Sequence, residues 1–168
     1  MPPDGVPDPG ARGAAAVPPA ASRLLHASCV QLDGAGVIVR GASGSGKSDL
    51  CLRLIDAGGL LVADDQVLLE RAAGDGLLLA SAPAGLAGLI EVRGVGILRL
   101  PRVVGRSPVR LVVDLCPWGE VDRLPPERGS GASTCKLLGV ALPRLGLDPF
   151  AASTCAKIGF ALRVERVH

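Results

Sequence analysis

Aromatic residues are nearly absent from this chain: its 168 residues include two Phe, one Trp and no Tyr. The stacking platforms on which single-stranded nucleic acids lie are therefore missing. Charged residues make up 20% of the chain and the formal net charge is +2, too little basic surface to replace them, so neither nucleic acid nor a membrane is expected as a partner. Paired cysteines are lacking too. Cys29, Cys51, Cys116, Cys135 and Cys155 include no CxxC pair and are odd in number, which argues against a zinc site or a closed disulfide set and fits reduced thiols in a cytoplasm. No apolar run reaches the roughly 18 residues that a membrane helix needs, since Gly, Asp, Arg or Pro interrupts each one. The first residues, MPPDGVPDPGARGAAAVPPAAS, have no basic start and no apolar centre of the secretory kind, and residues 1–22 read as a disordered Pro/Ala/Gly-rich leader.

What is present is enough apolar material, 48% of the chain, for one core over residues 23–168. Two β-rich runs, HASCVQL and GVIVRG, flank Asp33-Gly34-Ala35-Gly36, which has the composition of a hairpin turn. A glycine-rich loop follows, then SDLCLRLIDAG, where Leu50, Leu54 and Ile55 fall at helical spacing before a stop at Gly58-Gly59. LLVADD, QVLLE, LLLASAPA, GLIEVRGVGILRL and VRLVVDLC continue as strand-like pieces. The expected fold is a single α/β domain of the P-loop kinase type, with a mixed, largely β-rich sheet and flanking helices. Beyond Leu137 the pattern fixes no element except a weakly helical AASTCAKIGFALRVERV.

The loop GASGSGKS comprises Gly41, Ala42, Ser43, Gly44, Ser45, Gly46, Lys47 and Ser48. Between an apolar strand and an amphipathic helix, this spacing suits a nucleoside triphosphate: glycines let backbone N–H groups reach the phosphates, and the helix adds its positive end. Lys47 can reach the terminal phosphates, and the Ser48 hydroxyl is a Mg2+ ligand by type. Asp64 and Asp65 close an apolar strand, where an open α/β sheet places ligand groups, and a carboxylate there can hold Mg2+ or accept a hydroxyl proton. Neighbouring strand residues point to opposite faces, so only one of the two faces the phosphates unless the strand ends between them. His26, at the start of the strand expected to pair with the one entering the loop, is either structural or catalytic. Glu91 and Arg93, in IEVRGVGI, are either a surface pair or groups folded toward the nucleotide.

Taken together, LHAS at Leu25, GASGSGKS at Gly41, LLVADDQV at Leu60 and LIEVRGVGIL at Leu89 resemble the catalytic domain of HPr kinase/phosphorylase, in its short proteobacterial form, over roughly residues 24–116. The resemblance implies an ATP- and Mg2+-dependent kinase that phosphorylates a serine of HPr or a related phosphocarrier of the phosphotransferase system, with phosphorolysis as the reverse reaction in many members. It implies His26 as an active-site histidine, Lys47 as the phosphate-binding lysine, Ser48 and Glu91 as Mg2+ ligands, and Asp65 as the acid–base group, supported by Asp64 and Arg93. The C-terminal stretch LGLDPFAASTCAKIGF departs from the family's basic VGRN-like loop, so neither Arg144 nor Lys157 is assigned to the site, and reversal and homo-oligomeric assembly stay open. The alternative function is a nucleotide-binding sensor that acts on a signalling partner without efficient transfer. A simple NTPase or metabolite kinase would leave EVRGVGI without a purpose.

Overall fold

The computed structural model describes residues 21–127 and 130–164, so most of the leader expected over residues 1–22 lies outside the described residues; Ser22 already opens the first strand. Eleven strands and two α-helices follow one another as β1 (Ser22–His26), β2 (Ser28–Leu32), β3 (Ala35–Arg40), α1 (Lys47–Asp56), β4 (Leu60–Ala63), β5 (Gln66–Arg71), β6 (Leu78–Ser81), β7 (Leu89–Val92), β8 (Gly96–Arg99), β9 (Ser107–Leu115), β10 (Thr134–Leu137), β11 (Val140–Leu147) and α2 (Thr154–Arg163). Nine strands form one mixed sheet, in which β3 pairs parallel with β9 and β9 parallel with β11, while the other ladders are antiparallel. The mixed α/β architecture expected from the sequence is present.

The β2–β3 hairpin turns on Asp33 and Gly34 alone, at φ 48° and 80°, the paired left-handed conformation that an Asp-Gly turn supplies most cheaply. Along β3, side chains alternate between two cores. Ile38 packs with Val67, Leu69 and Val112 on one face, and Val37 and Val39 pack with Leu50, Leu54 and Ile158 on the other, beneath both helices. Central strands covered on both faces read as continuous apolar runs.

The expected single strand HASCVQL is two strands. β1 pairs with β5, with His26 opposite Gln66, whereas β2 pairs with β3 and β4. His26 therefore ends a neighbour of β5, and Ser28 opens the strand beside β3. The switch occurs opposite Asp64 and Asp65: the Ala27 N–H donates to the Asp65 carbonyl at 3.2 Å, and Asp65 has φ 63°, so the chain kinks between β4 and β5.

The segment that pattern left open holds β10, β11 and α2. Pro143 sits in β11 opposite Thr134, and the ladder to β9 begins one residue later, at Arg144. Asp114 ties three strands together here: it accepts from Arg40 at 2.7 and 2.8 Å and from Arg144 at 2.5 Å.

Candidate active site

The loop from Gly41 to Gly46 leaves the C-terminal end of β3 and delivers the chain to α1, which begins at Lys47 with no side-chain cap. The first N–H groups of the helix are thereby left facing the loop, an arrangement suited to an anion. Gly46 has φ 94°, a left-handed conformation that L side chains rarely adopt. At Gly41 a Cβ would lie 2.4 Å from Ser45 Oγ, so the loop closes only over glycine there. Lys47 is 7% exposed, and its Nζ donates to the Gly41 and Ala42 carbonyls, both at 2.9 Å, which holds the ammonium along the inside of the loop.

Asp64 and Asp65 take different jobs because β4 ends at Ala63 and the left-handed Asp65 turns the second carboxylate away from the first. Asp64 is buried. It accepts from the Ser28 hydroxyl at 2.6 Å, from the Ser48 hydroxyl at 3.0 and 3.1 Å, and from the Glu91 N–H at 3.2 Å, joining β2, α1 and β7 at one carboxylate. The Asp65 side chain is 69% exposed and stands 3.3 Å from His26 Nδ1. Glu91, fixed through its own N–H on Asp64, ends the row with an exposed side chain.

These groups line a cleft of about 350 Å³. Ser43, Gly44, Gly46, Lys47 and Ser48 form its loop wall, and His26, Asp65, Glu91 and Arg93 face it from the other side. Of the residues singled out in the sequence, Asp64 lies beneath the cleft as a support, and Gly41, Ala42 and Ser45 build the loop without lining it. Sequence reasoning missed Ser28, the second hydroxyl on Asp64, and Asp49, Leu52, Val92 and Phe150, which complete the lining. It also missed Arg53, which bonds the Asp49 carboxylate at 3.1 Å and the Pro149 carbonyl and so fastens the residues before α2 to α1. Phe150 alone had a legible signal, as a rare aromatic beside Pro149.

Backbone donors and an ammonium on one wall, carboxylates and an imidazole on the other, all at the C-terminal end of a central parallel strand, form a cleft in a mixed α/β domain whose chemistry suits an anionic ligand. The HPr Serine kinase C-terminal domain profile matches residues 19–158, and the chain belongs to that family. It is 36% identical over 135 residues to an HPr kinase/phosphorylase of Exiguobacterium sibiricum, an alignment covering 75% of this chain and 42% of that protein. With the HPr kinase/phosphorylase of an Exiguobacterium species the identity is 38% over 130 residues, covering 72% and 40% of the two chains. The chain thus spans about two fifths of the length of these curated relatives. Among solved structures, the Hpr(Ser) kinase/phosphatase from Coxiella burnetii superposes with a TM-score of 0.71 at 28% identity, covering 84% of this chain and 88% of that one.

Proposed function

We propose that this domain is a Mg2+- and ATP-dependent serine kinase acting on HPr or a related phosphocarrier. The observation that carries the proposal is the division of labour at Asp64 and Asp65: a buried carboxylate braces the loop serine while its exposed neighbour stands free in the cleft beside His26. The names of the relatives supply the substrate class.

The residues present fit both ligands. Helix N–H groups without a side-chain cap, Lys47 and three loop glycines suit a triphosphate. For Mg2+, the described residues hold no group of three or more His, Cys, Asp or Glu side chains arranged as a cage. A magnesium ion carried by a triphosphate needs none, because it keeps water and phosphate oxygens and takes only one or two protein ligands, here Ser48 and Glu91. Held by these two side chains, the ion would supply positive charge against the phosphates.

The protein's own groups then do the following. Lys47 and the loop N–H groups hold the phosphates and stabilise charge as it moves toward the leaving diphosphate. Asp65 accepts the proton of the incoming serine hydroxyl as the oxygen–phosphorus bond forms and the bond to the leaving oxygen breaks. His26, 3.3 Å away, orients that carboxylate. Asp64 keeps Ser48 and the β7 strand of Glu91 in register with each other. Most of the rate then comes from positioning and electrostatics.

Asp65→Asn tests this directly. Serine phosphorylation is expected to fall at least about 100-fold, the contribution typical of general-base catalysis, with ATP affinity unchanged. Transfer near the wild-type rate would remove Asp65 as the base.

A further inference from the structure

Phe150 is apolar and 70% exposed, yet it is held in place from both sides. Its N–H donates to the Asp148 carboxylate at 2.9 Å, the Thr154 hydroxyl donates to the Asp148 carbonyl at 2.5 Å, and the preceding Pro149 carbonyl accepts from Arg53 on α1. The ring lies against the last glycine of the loop, where a Cβ on Gly46 would come within 3.0 Å of Phe150 Cζ. Among the described residues it is the one Phe, Tyr or Trp side chain that lines the cleft.

Its position along the sheet gives the ring a direction. The neighbouring strands β3, β9 and β11 run parallel, so the residues that follow them, 41–46, 116–118 and 148–150, lie along one edge of the domain. The carboxylates come from the opposite side, beyond β2: Asp64 and Asp65 follow β4, and Glu91 lies on β7, joined to Asp64. A triphosphate seated in the loop with its terminal phosphate toward Ser48 and Asp65 therefore directs its nucleoside toward residues 148–150. There an exposed aromatic ring, carried on an anchored backbone, replaces the polar groups of the other wall.

We propose that the Phe150 ring is the stacking face for the base of the bound nucleotide. This rests on the nucleotide reading of the loop given above. A ring face accepts any purine through its π-surface and reads no hydrogen-bonding edge, so it discriminates little between ATP and GTP. It also separates base affinity from phosphate affinity, which the loop supplies alone.

Calorimetric titration of the full chain with Mg-ATP and with inorganic tripolyphosphate tests this in the wild type, Phe150→Ala and Phe150→Trp. Removing the ring is expected to weaken ATP binding about tenfold, within the range for loss of one base–aromatic stack, while tripolyphosphate binds within about twofold of wild type and Trp restores ATP affinity. Equal weakening of both ligands would show that the ring only braces Gly46, and no change in either would show that the base lies elsewhere; both results overturn the proposal. Wild-type protein that binds tripolyphosphate as tightly as ATP overturns it too, with the phosphate site intact. Wild-type protein that binds neither would instead bring down the nucleotide reading, and this proposal with it.

Discussion

Asp64 is the residue whose removal should cost most outside the apolar core. Its carboxylate is 8% exposed and takes three donors from three elements, at 2.6 Å from Ser28, 3.0 Å from Ser48 and 3.2 Å from the Glu91 N–H. In Asp64→Ala the Ser28 hydroxyl, fully buried, loses its carboxylate acceptor. The Glu91 N–H is half-buried and loses its partner as well, whereas the Ser48 hydroxyl borders the cleft and is rehydrated. A buried donor left unsatisfied costs about 1–3 kcal/mol, and with the half-buried Glu91 N–H at the low end of that range the two abandoned donors together predict a loss of about 2–4 kcal/mol. Asp64→Asn keeps one carbonyl acceptor and should lose about 1–2 kcal/mol. Urea unfolding of both variants, and of Ser28→Ala/Asp64→Ala, measures this. Because the double variant removes the orphaned hydroxyl along with its acceptor, it should be clearly more stable than the sum of the single losses implies. Asp64→Ala within about 0.5 kcal/mol of wild type, or strictly additive losses, would show that these donors do not depend on the Asp64 carboxylate.

Three further outcomes follow from the same structure. Burial pushes the Asp114 carboxyl up, but the hydrogen bonds and charges of Arg40 and Arg144 outweigh it and leave its pKa below the ordinary value. Its contribution is thus fully present above an unfolded pKa of about 3.9 and is lost as pH falls through the lower folded one; unfolding measured across that range should show Asp114→Asn with a shallower acid decline than wild type. Burial pushes the Cys29 thiol up to about 12 and raises Cys51 well above its usual value, so at pH 8 a thiol reagent should label neither in the native protein and both in denaturant, as read by mass spectrometry of the labelled peptides. Gly46→Ala forces an L side chain to φ 94° with its methyl 3.0 Å from the Phe150 ring, and should lower stability by about 1–2 kcal/mol or more while weakening ATP binding in titration.

The legible parts of the fold were those whose rules are local. The Asp33-Gly34 turn, the loop ending at Lys47 and the helix stopping before Gly58 each announce themselves within a few residues, through left-handed glycines and helical spacing. The split at Ala27 was not legible, because no Gly, Pro or turn pair separates β1 from β2 and the chain switches neighbours where the Ala27 N–H bonds Asp65, 38 positions away in the chain. The β10–β11 hairpin was hidden because Pro143 interrupts its second strand, although β11 is held by β9 through a register that no local pattern encodes. At the site, the residue types left His26 and Glu91 open between structural and functional places and only the family resemblance put them beside the loop; the structure sets His26 against Asp65 through strand topology. The separation of Asp64 from Asp65 did not come from strand alternation, since β4 ends at Ala63, before both; the left-handed φ of Asp65 turns the second carboxylate into the cleft instead. Phe150 and Arg53 stayed out of view because their roles depend on α2 packing beside α1, a contact between residues about 100 positions apart.

Transfer of phosphate from ATP to a carrier serine is the reaction we propose for the cleft. Incubating the purified chain with Mg2+, ATP labelled at the γ-phosphate and HPr-type carriers from the same cell tests it most directly, beside a carrier whose acceptor serine is changed to alanine. Label is expected on the intact carrier, none on the alanine form, and labelling should be lost with Asp65→Asn. ATP bound by the wild-type chain with no label on any carrier would contradict it.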